Sequence, residues 1–231
     1  MQELVERKPP FLAVLLGPAY RRTMTSKARQ VGLLGGTFNP VHHGHLILAR
    51  WAGEMLGLDE VWLIPNRRSP LRLGEPLAPA EERLAWVEAS VRNEPILSAC
   101  DLEVKREGTS YLVDTLEELT ALHPDTAFTF IMGADSLNTF DHWVKAERIL
   151  ELVDIRVVPR PGDEAGPALA SLEEKLPAAG GKVTMLPESP HLDISATEIR
   201  NRVQEGLSIR YYVADEVAER IEQGGFFRNP S

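Results

Sequence analysis

The chain is 231 residues long and 43% hydrophobic, enough to bury one sizeable core, which points to a single globular domain. Its 25 Lys and Arg against 34 Asp and Glu leave a formal net charge of −9, which excludes a broad electrostatic grip on nucleic acid but not a small anion held by local cations. The lone Cys100 excludes an internal disulfide and a cysteine-based zinc cluster, and it fits a reducing, cytoplasmic setting.

Residues 1–29 mix Pro9, Pro10, Gly17 and Pro18 with Arg21, Arg22, Lys27 and Arg29 and hold no sustained period. They predict a poorly ordered tail ahead of one domain over residues 30–231. The apolar run Phe11 to Leu16 falls far short of the roughly 20 residues of a membrane span. No small-x-small cleavage site follows it, as a secretory leader requires. Met24 is a candidate second translation start.

From Val31 onward, short apolar runs alternate with amphipathic stretches, the pattern of a parallel sheet covered by helices on both faces. The expected class is α/β with a Rossmann-like, doubly wound parallel sheet. Val31–Gly35, Val61–Pro65, Phe128–Met132 and Ile155–Val158 are nearly continuous in apolar residues, as strands buried on both faces are. Weaker candidate strands lie near Leu97–Leu102 and Val183–Leu186. Leu48, Trp51, Ala52, Met55 and Leu56 form a helical stripe between the first two strands, which makes Trp51 a core residue. Leu84, Val87 and Val91 mark a second helix, and Leu112, Leu116 and Leu119 a third. Ala214, Val217, Ala218 and Ile221 mark a last one, ending at Gly224-Gly225. Pro159 to Gly181 reads as a loop carrying one short helix.

The informative stretch is Gly35-Gly36-Thr37-Phe38-Asn39-Pro40-Val41-His42-His43-Gly44-His45, between the first strand and the first helix. The two leading glycines allow a tight turn and close approach to a ligand. A helix starting near Gly44 turns its free N–H groups and positive dipole end toward the carboxyl edge of the strand, where phosphate binds. His42 and His45 are three apart, so both imidazoles can point to one side and donate to one anion. Neither the G-x-G-x-x-G dinucleotide fingerprint nor a Walker loop fits. A zinc site on the histidines lacks a nearby Cys or Glu to complete it. Ser195, with Glu198 three residues on, has the capping-box pattern and predicts a second helix N-terminus turned to the same groove.

Gly-Gly-Thr-Phe-x-Pro-x-His-x-Gly-His resembles the signature of the nucleotidyltransferases related to class I aminoacyl-tRNA synthetases. Five further blocks and one lone residue follow in the order found in bacterial nicotinate-nucleotide adenylyltransferases. They are Ile64-Pro65-Asn66, Glu107-Gly108-Thr109-Ser110-Tyr111, Gly133-Ala134-Asp135, Trp143, Arg160-Pro161-Gly162 and Ile194-Ser195-Ala196-Thr197-Glu198-Ile199-Arg200. The resemblance spans roughly Val31 to Phe227. It implies adenylyl transfer from ATP to nicotinate mononucleotide, giving deamido-NAD and pyrophosphate, by direct attack without an enzyme nucleophile. On the ATP side it implies Gly35, Gly36, Thr37, Phe38, His42, His45, Gly133, Asp135, Ser195, Thr197 and Arg200, with His42, His45 and Arg200 catalytic. On the nicotinate side it implies Thr37, Tyr111, Asp135, Trp143 and Arg160. Trp143 would stack on the pyridine ring or serve as one more apolar side chain. A phosphate beside either imidazole would raise its pKa. Mg²⁺ is implied with ATP, but no carboxylate cage stands out and no metal ligands are assigned.

The chain departs from the family at Asn39, where Asp is common, and at Ser69-Pro70-Leu71-Arg72, where Pro-Pro-His-Lys is frequent. Arg67, Arg68 and Arg72 form either a mobile basic flap over phosphates or a solvated loop. Leu112 stands where Thr is usual, so the preference for nicotinate over nicotinamide rests on the resemblance alone. The rivals are a pantetheine-phosphate adenylyltransferase, a non-catalytic nucleotide sensor and an RNA-binding relative, the last opposed by the charge of −9. Neither nucleic acid nor membrane is expected as a partner, and homo-oligomerisation stays open.

Overall fold

The computed structural model describes residues 28–228 except 73, 75, 160–164, 180–181, 188–189 and 191. The predicted tail therefore lies, up to residue 27, outside the described residues. Six strands form one sheet among the described residues: β1 (Arg29–Gly36), β2 (Glu60–Pro65), β3 (Leu97–Ala99), β4 (Thr126–Gly133), β5 (Asp154–Val158) and β6 (Val183–Met185). Their order is β3-β2-β1-β4-β5-β6, and every pairing is parallel. The helices are α1 (His43–Leu56), α2 (Ala80–Val91), α3 (Leu102–Lys105), α4 (Leu112–Leu122), α5 (Ala134–Leu137), α6 (Ala146–Leu152), α7 (Ala165–Lys175), α8 (Ala196–Gln204) and α9 (Asp215–Gln223).

The pleat explains the two-sided core, because successive strand side chains face opposite ways. On β4, Phe128, Phe130 and Met132 join α4, α5, α6 and α7 on one face, while Ile131 joins α1, α2, α8 and α9 on the other. β1 divides likewise, with Val31 and Leu33 on the first face and Leu34 on the second. Trp51 packs partly buried on the second face, in line with its reading as core.

The six predicted strands and four predicted helices are present. β3 is only three residues long, because Leu102, placed in the weak strand candidate, instead opens α3. The helix expected after Pro159 extends to eleven residues. α9 ends at Gly224 and Gly225, the latter at φ +65°. Beyond them Phe226 and Phe227 fold back on Trp86 of α2, with ring centroids 5.3 and 5.8 Å away.

The chain leaves β1 for one face through α1 and leaves β4 for the other through α5. Adjacent strands whose connections diverge leave a crevice at their carboxyl ends.

Trp86 is 0% exposed and packs against both rings of the C-terminal aromatic pair. Trp86→Ala should lower unfolding free energy by about 3–5 kcal/mol in urea titration; a loss under 1 kcal/mol would show that the aromatic pair closes over the gap.

Candidate functional site

The turn after β1 carries the site. Gly36 has no Cβ, and one placed there would lie 2.9 Å from the Phe38 ring. The ring fits because Phe38 adopts φ +48°, a left-handed conformation uncommon for a bulky residue. Phe38 is buried, with its ring edge-on to His45 at 5.0 Å. Its side chain joins the second core face, with the ring against His45.

α1 starts at His43 with His42 as its N-cap. The His42 and His45 rings stack at 3.6 Å and 25°, so the two imidazoles do share one side. The His42 N–H donates to His45 Nδ1 at 3.2 Å. With Nδ1 accepting, neutral His45 carries its proton on Nε2 and donates from there. His42 Nδ1 is buried without a hydrogen-bond partner, and a Cβ on Gly44 would come within 3.0 Å of it. The helix-start N–H groups are less available than expected. His43 donates to the Tyr212 carbonyl at 2.9 Å, and His45 to the His42 carbonyl at 2.9 Å. His43 is held further by its Nδ1 contact with the Tyr211 carbonyl.

Burial, and secondarily His43, lowers the His42 pKa to about 4; burial, and secondarily His42, pushes His45 well below the ordinary imidazole value. The protein environment alone thus favours two neutral rings, opposite to the rise expected beside phosphate.

Ser195 caps α8, its Oγ accepting the Glu198 N–H at 3.1 Å. The Glu198 carboxylate lies 3.9 Å from Arg202. Arg200 donates to the Asn39 carbonyl at 2.9 Å and to Thr197 Oγ1 at 3.1 Å. It thereby joins the two turns that the sequence assigns to one groove. Asn39, buried, accepts the Ala78 N–H at 3.1 Å, a structural use that needs no charge.

Beside this turn lies a cleft of about 560 Å³. Gly35, Gly36, Thr37, Tyr111, Asp135 and Trp143 line it. Four predicted nicotinate-side residues (Thr37, Tyr111, Asp135 and Trp143) therefore meet in one cavity, while His42, His45, Ser195, Thr197 and Arg200 lie outside its lining. Gly133 ends β4, and its missing Cβ leaves room for the Asp135 carboxylate, which would sit 2.6 Å from one. Trp143 is tilted on Phe140 at 5.5 Å and also lines the cleft, a position compatible with either expectation. Its indole N–H donates to Thr139 Oγ1 at 3.4 Å. Arg160 lies outside the described residues.

Of the predicted basic flap, Arg72 lines the cleft. Arg67 instead donates to the Val104 carbonyl and pairs with Glu81 at 3.3 Å, which removes it from a flap.

Sequence reasoning missed Glu103 and Arg83. Glu103 is buried at the cleft wall, its pKa raised by burial against the hydroxyls of Thr115 and Ser110. Arg83 is 1% exposed. A signal existed for Arg83, which sits four residues before Val87 on the apolar stripe of α2. Among the described residues no group of three or more His, Cys, Asp or Glu is placed to hold a metal ion. No helix among them is long and apolar enough to cross a membrane.

The cytidylyltransferase-like family matches residues 33–202. A probable nicotinate-nucleotide adenylyltransferase of Salinibacter ruber is 40% identical over 198 residues, covering 86% of this chain and 97% of that protein. One of Dehalococcoides mccartyi is 36% identical over 199 residues, with 86% and 97% covered. Among solved structures, the nicotinic acid mononucleotide adenylyltransferase of Plasmodium falciparum complexed with NaAD superposes with a TM-score of 0.68 at 20% identity. That match covers 86% of this chain and 97% of the other, and supports the fold.

The lowered His42 pKa makes stability depend on pH. The unfolded ring takes its proton near 6.5 and the folded ring near 4, so the stabilisation is full above pH 6.5 and is lost as pH falls toward 4. Thermal unfolding across that window should show about 3 kcal/mol lost through His42. His42→Gln should flatten the slope; an unchanged slope would mean that His42 titrates normally.

Proposed function

Because the chain belongs to the cytidylyltransferase-like family, and within it to the nicotinate-nucleotide adenylyltransferases, we propose that it transfers the adenylyl group of ATP to nicotinate mononucleotide. The products are deamido-NAD and pyrophosphate, and the reaction is a step of NAD biosynthesis. The observation that carries this reading is the stacked His42–His45 pair, on a turn that Arg200 of α8 fastens at the Asn39 carbonyl, set beside a cleft of about 560 Å³.

In this reading a 5′-phosphate oxygen of the mononucleotide attacks the α-phosphorus of ATP. A new P–O bond forms as the bond to pyrophosphate breaks, with no covalent enzyme intermediate. The protein's work is placement and charge stabilisation. Gly35, Gly36 and Thr37 let the backbone approach the reacting phosphates. His45, its Nδ1 held by the His42 N–H, offers Nε2–H to a non-bridging oxygen; a neutral imidazole does this without prior protonation. Ser195, Thr197 and Arg200 face the triphosphate, and the guanidinium stabilises charge collecting on departing pyrophosphate. Thr37, Tyr111, Asp135 and Trp143 hold the mononucleotide, with Trp143 against the pyridine. Magnesium enters as MgATP, carried by the substrate's own oxygens. The reaction belongs in the cytoplasm, where its nucleotide substrates are.

The test supplies MgATP with nicotinate mononucleotide, nicotinamide mononucleotide or phosphopantetheine in separate reactions and follows pyrophosphate. Nicotinate mononucleotide should give the fastest release. Release only with phosphopantetheine, or none with any acceptor, contradicts the proposal. His45→Ala should lower kcat about 100-fold or more with an unchanged melting profile, since one preorganised donor is lost. Turnover within twofold of the parent would remove His45 from the site.

A further inference from the structure

Arg83 is a buried cation whose hydrogen bonds reach three separate backbone segments. Nη1 donates to the Thr37 carbonyl at 2.7 Å, Nη2 to the Arg67 carbonyl at 3.0 Å, and Nε to the Ala78 carbonyl at 3.0 Å. Thr37 belongs to the turn after β1 and Arg67 follows Asn66, and both Thr37 and Asn66 line the cleft. The Ala78 segment is tied back to the same turn through Asn39 Oδ1.

These segments make further contacts that radiate from the guanidinium. Asn66 donates its N–H to the Gly36 carbonyl at 3.0 Å and its amide to Thr37 Oγ1 at 3.2 Å. The Arg67 N–H donates to Ser110 Oγ at 3.1 Å, and the Ser110 N–H to the Arg68 carbonyl at 2.9 Å. Ser110 carries the chain into Tyr111, so the turn after β1 and the loop after β2 meet at Arg83, and that loop in turn holds the segment leading to Tyr111. Burial lowers its pKa to about 10, which still leaves the guanidinium charged at neutral pH. A charge this buried is costly, and a flat fork with donors on different nitrogens serves divergent carbonyls that a point ammonium cannot serve together.

We propose that Arg83 is a positioning residue for adenylyl transfer: its guanidinium sets the spacing between the Gly35–Thr37 turn and the Asn66–Arg68 loop, and so the line along which acceptor phosphate meets ATP. The proposal rests on the activity proposed above. Arg83 touches neither His42 nor His45 through these bonds, so its loss should misplace the reactants more than weaken the hold on ATP. Small misplacements far from the reacting atoms act on the rate of the chemical step.

The experiment compares the full chain with Arg83→Lys, Arg83→Met and Arg83→Ala by thermal unfolding, steady-state kinetics and amide hydrogen exchange. Variants folded at the assay temperature should show kcat reduced about 10- to 100-fold with the KM for ATP moved less than about threefold. Arg83→Lys should regain stability over Arg83→Met without regaining kcat. Ethylguanidinium should restore turnover to Arg83→Ala, which leaves space for it, and not to Arg83→Met, which fills it. Exchange should quicken in peptides spanning residues 37–39 and 66–68.

A folded variant with kcat within twofold of the parent overturns the proposal, and so does unfolding of all three, which would make Arg83 a core element alone. Should the parent be silent with every acceptor, the proposed activity fails by itself. The clamp is then decided by exchange, which overturns it if both segments stay as protected as in the parent.

Discussion

The site depends on divergence at the carboxyl edge of a parallel sheet. β1 and β4 are hydrogen-bonded neighbours, yet the chain leaves β1 toward one face and β4 toward the other. Their divergence leaves a crevice at the carboxyl ends of the two strands. Into it project the glycine turn from β1 and the Gly133–Asp135 corner from β4, while the loop after β2 and the segment before α4 complete the cleft. A crevice of this kind forms from strand order before any particular side chain is chosen, which is why ligands of open α/β sheets collect there.

Placing polyanions in such a crevice calls for donors that do not move, and the contacts around it are chiefly about holding still. His45 has its ring orientation set by a backbone N–H, His43 is fixed by the 211–212 segment, and Arg200 fastens α8 to the turn after β1. Preorganised donors cost no rearrangement when charge develops. The packing that fixes the stacked imidazoles also lowers their pKa and so favours the neutral rings. A site that relied on standing positive charge would place these rings in water; in the proposed mechanism this one would rely on oriented N–H groups, with permanent charge supplied by Arg200.

Much of the sheet was legible because strands buried on both faces must be apolar throughout, and Val31–Gly35 or Phe128–Met132 show it without periodicity. The histidine turn and the Ser195 cap were legible because their chemistry is local. The burial of Phe38 was not legible, because a positive φ in a bulky residue leaves no mark in composition. The occupied N–H of His43 depends on Tyr212, far away in sequence, and no local pattern announces such a partner. Arg67 looked like a flap residue because a basic run reads as solvated, whereas Val104 and Glu81 hold it down. Arg83 left a readable trace: a cation on an apolar helical stripe needs buried acceptors, and here they are backbone carbonyls of the loops that bound the cleft.

The central claim is that the cleft and the histidine turn beside it together hold the two halves of the dinucleotide. A crystal structure of the protein grown with deamido-NAD tests it most directly. The account predicts the pyridine ring in the cleft between Tyr111 and Trp143 and the diphosphate over Gly35–Thr37, within hydrogen-bond reach of His45 Nε2. A dinucleotide bound away from the β1–β4 edge, or one whose diphosphate leaves both histidines without contact, would contradict it.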